Sequence, residues 1–419
     1  MPHPRSAAGR TDPIVVMMAL GVLGGACIAA WITAAPHANP DSLAFEALAR
    51  SLQSGHGMSY REPLMPALEL KAFRSPGYAL FLAAALRLGI RGAIALQGAL
   101  AGLAAALIGL VAHRLAGPRA AWVAFGSMIL WWQPWRFAGE LMTETLYAVL
   151  VALALVLLVR RPVPGRRANG AAIPGIGATV AAGLSLAAAL MVRPTGFGLA
   201  AAAIVWLGMR EPRRVAVLLL VLVAAWAPWP LRNARVLGAF VPSVTSGGLN
   251  AWNGNTGRPI AEGWRLQAAE AGRGEVGLDR MFWDLTRAEW RSHPGAVLQR
   301  LAGRIGAFVA PPAPDRWQWW MAVLWPLALI AAVHAALGAP AWRAGFALVA
   351  LAWALQGAMT VATVMNDRYR HPTDWLVVLA GALGAETLMA RFGTRTGALV
   401  AAAIGCGTLA VTALLRALL

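Results

Sequence analysis

Charged side chains are scarce: 13% of the 419 residues are Asp, Glu, Lys or Arg, against roughly 25% in soluble domains. Lysine is almost missing, Lys71 being the one example among 36 basic residues, and there are 18 acids. The two cysteines, Cys27 and Cys406, both fall inside apolar runs, which excludes a disulfide framework and a cysteine metal site. There is no tandem repeat and no low-complexity tract. Hydrophobic residues make up 59% of the chain, with uncharged windows at residues 13–35, 92–112, 170–192, 317–342 and 344–365. A hydrocarbon core of about 30 Å needs about 20 apolar residues, so each window predicts a transmembrane helix, and a soluble globule is excluded. The first window is too long, and too well followed by others, for a cleaved signal peptide.

The net charge of +18 lies in short loops between apolar spans, so topology explains it better than nucleic-acid binding does. The densest basic loops are Arg160, Arg161, Arg166 and Arg167, then Arg210, Arg213 and Arg214. The positive-inside rule makes both cytoplasmic, along with Arg5 and Arg10 and hence the N-terminus. Further spans are expected at 141–159, 194–209, 215–231, 375–390 and 396–415, with one more between turns at 114–119 and 131–140. The fold class is therefore an all-α polytopic membrane protein with about eleven transmembrane helices. It forms a single transmembrane domain over residues 1–419 in the cell inner (plasma) membrane. Residues 36–91 and 232–316 become two outer segments, and the loop 366–373 is also outside. Counting 76–86 as a span would put the four-arginine loop outside. It is therefore expected as a helix lying in the outer interface, bounded by Arg74 and by Arg87 and Arg91. Asp12, Glu211 and Glu386 fall near the inner face, which leaves 15 of the 18 acids outside. The chemistry is expected on that outer, periplasmic face.

Residues 41–54 carry a helical stripe of Leu43, Phe45, Leu48, Ala49 and Leu52, suited to lying on the membrane. Asp41, after Asn39-Pro40, is placed as N-cap or first-turn acid. Residues 246–263 are rich in Gly and Asn and predict an ordered polar loop. Trp131, Trp132, Trp135, Trp317, Trp319 and Trp320 are expected as interfacial belts. The candidate chemistry lies in Asp41 with Glu46, in Glu140 with Glu144, and in the arginines Arg74, Arg136, Arg193, Arg232, Arg235, Arg368 and Arg370. An ionisable group deep in a span costs about 3 kcal/mol, so Glu144 is expected to have a partner or a job. Outward arginines run against the positive-inside tendency, and a buried phosphate on a lipid would explain several at once. A carboxylate such as Asp41 is then placed to activate an incoming hydroxyl. His56, between two glycines, is expected to be a loop residue and His371 an interfacial one. Convergence of Asp41, Glu144 and His371 on a divalent metal stays open, and no organic cofactor is expected.

The order of Asp41-x3-Phe45-x3-Ala49-x2-Leu52-x2-Gly55, Arg74-Ser-Pro76-Gly77-Tyr78 and Leu141-Met-Thr-Glu144 resembles the GT-C glycosyltransferases. Within that superfamily it is most similar to the bacterial relatives of the protein O-mannosyltransferases, which include the transferases that place aminoarabinose or galacturonic acid on lipid A and lipopolysaccharide core. Met191-Val-Arg193-Pro194, Pro228-Trp229-Pro-Leu-Arg232-Asn233, Asn253-Gly254-Asn255 and Arg368-Tyr369-x2-Pro372 follow in the same order. The resemblance implies sugar transfer from a polyprenyl-phosphate-linked donor to a lipid, glycan or protein acceptor at the outer face. Asp41 would be the base and Glu144 the supporting acid. Arg74, Arg193, Arg368 and Lys71 would hold the donor phosphate, supported by Glu46, Glu140, Arg232, Tyr369 and His371. Phe45 stands where the family usually has Tyr. Some relatives continue into a large soluble domain, so acceptor recognition is expected of residues 232–316 or of a partner. A transporter or flippase of lipid-linked sugars would use similar arginines but should show paired inverted repeats; none is visible. An O-antigen-ligase-like transferase would also be multi-spanning with outer arginines, and only the order of the motifs speaks against it. A non-catalytic envelope-assembly subunit would have kept the fold without needing both Asp41 and Glu144.

Overall fold

The structure is a computed structural model that describes residues 12–62, 65–160, 173–310, 319–337, 340–364 and 367–418. Its membrane bundle is built from α1 (Pro13–Trp31), α4 (Gly89–Ala116), α5 (Pro118–Leu130) and α7 (Thr143–Leu158), then α8 (Ile176–Val192), α9 (Gly196–Gly208) and α10 (Pro212–Trp226). It closes with α16 (Trp319–Leu337), α17 (Pro340–Ala362), α18 (Asp367–Phe392) and α19 (Thr394–Leu418). Each of the eleven expected spans thus contains a helix among its described residues. Among the described residues, five helical runs are long and apolar enough to cross a bilayer alone, and α8, α9 and part of α16 are shorter apolar helices. The short α6 (Trp132–Ala138) meets α7 at a bend of 119°. The protein is a multi-pass membrane protein.

Helix α4 is central, packed by α1, α5, α7 and α18. Glycine lets α1 come close: a Cβ on Gly102 would lie 1.7 Å from the Gly21 carbonyl oxygen, and one on Gly98 2.2 Å from that of Gly25. With no hydrophobic force between helices in lipid, such small-residue contacts are what hold them together. Gly102→Val is expected to cost more than the ~1–3 kcal/mol of ordinary overpacking, because the blocking atom is backbone. Gly24→Val, with nothing within 4 Å of its Cβ, should leave the thermal unfolding of the purified protein near wild type.

The two segments expected outside share a second core at one end of the bundle. It joins α2 (Pro40–Gln53), β1 (Tyr60–Glu62), β2 (Met65–Leu70) and α3 (Pro76–Ala85) to α11 (Pro228–Leu237), α12 (Gly247–Thr256), α13 (Ile260–Ala269) and α14 (Gly274–Ser292). Leu48, Leu70 and Phe73 from the first segment pack with Leu249, Trp252 and Phe282 from the second and with Trp229 just ahead of it. The strands are antiparallel, pairing Tyr60 with Leu70 and Arg61 with Glu69. Next, α15 (Pro294–Val309) packs on α12, α14 and α17. At ten residues α3 is too short to span, and it is buried against α2, α4 and α8.

Four expectations change. Residues 246–263 are not a loop but α12 and the start of α13. Tertiary contacts overcome the weak helix propensity of Gly and Asn: Asp279 accepts the Gly248 N–H at 2.6 Å, and Arg304 and Arg300 donate to the carbonyls of Gly254 and Asn255 at the other end. Residues 367–373 likewise form the first turns of α18, with Pro372 inside the helix, where its missing N–H leaves one backbone hydrogen bond unmade. On α2, Ser42 and Ala44 are buried while Leu43 is exposed, since the face meets protein rather than lipid alone. Trp131 and Trp135 are buried, not a belt, because the bend at α6 turns them into the bundle. Trp317 lies outside the described residues.

Candidate functional site

The site forms where the starts of α2, α7 and α18 meet the residues just before α3 and just after α8. Asn39 caps α2 by accepting the Asp41 N–H at 3.0 Å, with Pro40 at the first position, and this sets Asp41 in the first turn. One Asp41 carboxylate oxygen accepts from Arg74 Nη2 and the other from Arg368 Nη1, each at 2.5 Å. Arg368 Nε reaches Glu144 Oε1 at 2.7 Å, and Arg193 Nη1 meets the same oxygen at 2.9 Å. Thr143 donates to the other Glu144 oxygen at 3.1 Å. Glu144 is fully buried, in the first turn of α7, where the helix dipole favours an acid.

The result is a chain of alternating charge: Arg74, Asp41, Arg368, Glu144, Arg193. Three guanidiniums face two carboxylates, with a third acid, Glu62, 4.0 Å from Arg74. The arginines are also held on aromatic faces. Arg74 lies over Phe45 and Phe73, at 5.7 and 5.3 Å from the ring centres, and Tyr369 lies under both Arg368 and Arg193. Phe45 thus contacts Arg74 through the face of its ring. Burial pushes the Asp41 carboxyl up, but the Arg74 and Arg368 guanidiniums outweigh it and hold it well below the usual carboxylate range. For Glu62 burial wins over Arg74, and its carboxyl is raised. Tyr60 donates to Glu62 at 3.1 Å.

A cavity of about 220 Å³ opens beside Asp41 and Arg74, walled by Phe73, Trp264 and Tyr369 and by Ser246, Asn250 and Asn253. Its α12 wall is positioned from below by two acids of α14. Glu275 accepts from the backbone N–H groups of Lys71 and Ala72 and from the Thr245 hydroxyl, at 2.5–2.8 Å. Asp279 holds Gly248. Burial pushes the Asp279 carboxyl up to about 6. A folded pKa above the unfolded one gives a contribution present below pH ~4 and lost as pH rises through ~6, worth about 1–3 kcal/mol. Asp279→Asn is accordingly expected to raise the unfolding temperature at pH 7.5 and flatten its change between pH 4 and 6.

The other expected site residues sit elsewhere. The Lys71 ammonium pairs with exposed Glu69 at 3.7 Å, and Arg232 donates to the Lys71 and Met58 carbonyls, so it braces the backbone ahead of Arg74. Glu46 is taken by His37 and Arg50, Glu140 by Arg136, and Arg370 by Asp374 and the end of α15. His371 is buried, not interfacial: its ring packs on Trp131 and Phe137 and accepts from Trp375 Nε1 at 3.1 Å. His56 is a turn residue bonded to Ser54. Among the described residues no three His, Cys, Asp or Glu side chains converge as metal ligands, and the oxygens of Asp41 and Glu144 face guanidiniums and a hydroxyl instead. Sequence reasoning missed Glu62, Thr143, Trp264, Glu275 and Asp279. Glu62 and Glu275 carry no motif, and Trp264 had only its residue type as a signal.

No family model matches the sequence, and no curated protein is similar to it in sequence. Solved structures do match. The archaeal oligosaccharyltransferase AglB from Archaeoglobus fulgidus, in complex with an inhibitory peptide and a dolichol-phosphate, superposes with a TM-score of 0.56 at 14% identity, over 96% of this chain and 55% of that one. The Archaeoglobus fulgidus oligosaccharyltransferase in complex with Zn and sulfate gives 0.57 at 13% identity, over 95% and 53%. ArnT from Cupriavidus metallidurans in the apo state gives 0.41 at 14% identity, over 89% and 77%. The chain spans about half the length of the archaeal enzyme it matches. Its fold is the expected all-α polytopic membrane architecture, shared over nearly the whole chain with the membrane part of that enzyme.

Proposed function

We propose that this chain is a membrane glycosyltransferase, moving a sugar from a polyprenyl-phosphate-linked donor to an acceptor at the periplasmic face of the inner membrane. The observation that carries the reading is the linked set of Arg74, Asp41, Arg368, Glu144 and Arg193 beside a cavity at one end of the bundle. Arginine forks match phosphate oxygens, and the set holds one more guanidinium than the carboxylates that bridge it. The apolar surroundings suit a lipid tail. Two cavities of about 350 Å³ each share Val309 and Trp353; one follows α15 and α17 and reaches Val361 and Ala362, close in sequence to Val364 at the site, and the other lies among α16, α17 and α18.

The chemistry follows from the charges. With both its oxygens bound to guanidiniums, Asp41 is held as a weak base. A donor phosphate arriving at Arg74 and Arg368 competes for those guanidiniums and releases a carboxylate oxygen to the acceptor hydroxyl. The acceptor oxygen then bonds to the anomeric carbon, its proton passes to Asp41, and the carbon–oxygen bond to phosphate breaks with its electron pair on the phosphate. Arg74 and Arg368 stabilise that developing charge electrostatically. Glu144 and Arg193 hold Arg368 in place. A single displacement inverts the anomeric centre.

The test is sugar transfer in membranes that lack and then regain the protein, read by mass spectrometry of envelope lipids, glycans and proteins. A sugar-sized adduct that returns with the protein supports the reading. An envelope with no adduct dependent on the protein would overturn it in favour of transport or assembly.

A further inference from the structure

Resting on that transferase reading, we infer that the cavity beside Asp41 takes one uncharged sugar ring. The donor would be a neutral monosaccharide on polyprenyl phosphate, not an amino sugar, a uronic acid or an oligosaccharide. Size comes first. The cavity holds about 220 Å³, below the roughly 300–1,000 Å³ of pockets that enclose drug-sized ligands, so it surrounds one ring and any second ring would have to project from its open side. A phosphate on Arg74 fixes the anomeric end of the sugar, so the ring must extend from there into this space.

The lining then selects the charge. With the donor bound, the guanidiniums of Arg74, Arg368 and Arg193 balance Asp41, Glu144 and the singly charged phosphodiester, so the set has no surplus charge to offer a charged sugar. The polar side chains that line the cavity besides Asp41 and Arg74 are uncharged: Ser246, Asn250, Asn253 and Tyr369, with the indole of Trp264, groups that donate to and accept from sugar hydroxyls. Asn253 is oriented by donating to the Arg258 carbonyl at 2.7 Å. Trp264, packed 5.7 Å from Phe73, supplies an apolar face for one side of a pyranose. Charged side chains of this segment line a separate cavity of about 550 Å³: Arg258 and Glu262, paired at 2.6 Å, and Arg265, together with Glu289 and His293. An ammonium or carboxylate on the sugar would therefore be desolvated against neutral amides, which is costly without an opposite charge.

The full chain in lipid nanodiscs should be titrated with bare polyprenyl phosphate, and with the same lipid carrying a neutral hexose, an amino sugar, a uronic acid or a disaccharide. Bare lipid is expected to bind, and the neutral hexosyl lipid to bind at least about tenfold tighter than any of the charged or disaccharide donors. Asn250→Asp, which places one negative charge in the cavity at nearly constant shape, should reverse the order in favour of the amino sugar. Equal affinity for the neutral and charged donors, or tighter binding of the disaccharide, overturns this inference while leaving the transferase reading intact. Failure of the bare lipid to bind would instead count against the transferase reading itself. The wild-type comparison decides the matter whether or not the Asn250 variant folds.

Discussion

Asp41→Asn is expected to reduce sugar transfer by about 10²–10⁴-fold, the usual contribution of a positioned general base, while polyprenyl phosphate binds the variant more tightly than it binds wild type. The two halves of this result come from one geometry. Asp41 is the carboxylate that both Arg74 and Arg368 contact at 2.5 Å, so its neutral replacement removes the acceptor's proton sink and also the internal competitor for the phosphate site. A residue that merely braced the fold would lower binding and transfer together. The measurement is a donor-lipid titration beside a transfer assay on equal amounts of folded protein. Unchanged transfer would remove Asp41 from the chemistry. Lost transfer with weaker lipid binding would make Asp41 a structural partner of the arginines and not their competitor. Because the arginines hold the Asp41 carboxyl well below the usual carboxylate range, the ion pairs should persist as pH falls to the ordinary range of carboxylate titration.

Glu144→Gln is expected to be the most damaging single change to stability in the site, at about 3–5 kcal/mol for breaking a buried charge pair. The glutamate is fully buried and serves Arg368 and Arg193 at once. Its removal leaves two guanidiniums close together with Asp41 as the nearer compensating charge. The carboxamide also presents a donor where Arg368 donated. A marked fall in the unfolding temperature and in folded yield should result. Adding Arg193→Met should recover part of the loss, since it removes one of the two stranded charges, although Arg193 also donates to Thr143 at 3.0 Å. A Glu144→Gln protein as stable as wild type would show that the cluster does not depend on this carboxylate.

Most of the membrane architecture was legible because lipid imposes a simple rule: a span must satisfy its own backbone and present apolar side chains. Charge-free windows therefore coincide with helices. The same rule says little beyond the spans. The Gly- and Asn-rich stretch at 246–263 lacks helix formers, and it is helical because Asp279, Arg300 and Arg304, distant in sequence, satisfy its two ends. Gly254 belongs there for a reason no local pattern shows: a Cβ would lie 1.4 Å from the Thr363 carbonyl. The aromatic belt misled for a similar reason, since a tryptophan at a span end looks the same whether it meets lipid or, like Trp131, a buried histidine.

The site divides along the same line. By itself the sequence determined that acids and arginines gather at the mouths of apolar spans, where an ionisable group is too costly to be idle. That singled out Asp41, Glu46, Glu140 and Glu144 with the arginines Arg74, Arg136, Arg193, Arg232, Arg235, Arg368 and Arg370, and Lys71 through the resemblance. Only the tertiary structure decided which of the candidates belong together. It joined Asp41, Arg74, Glu144, Arg193 and Arg368 through shared carboxylates and turned Lys71, Glu46 and Glu140 to local partners. It also brought Trp264, Asn250 and Asn253 to the cavity from a segment some two hundred residues beyond Asp41 in the chain. The physical reason is range. Hydropathy and capping act over one helix and can be read along the chain, whereas ion pairing depends on a few ångströms between elements that only packing brings together.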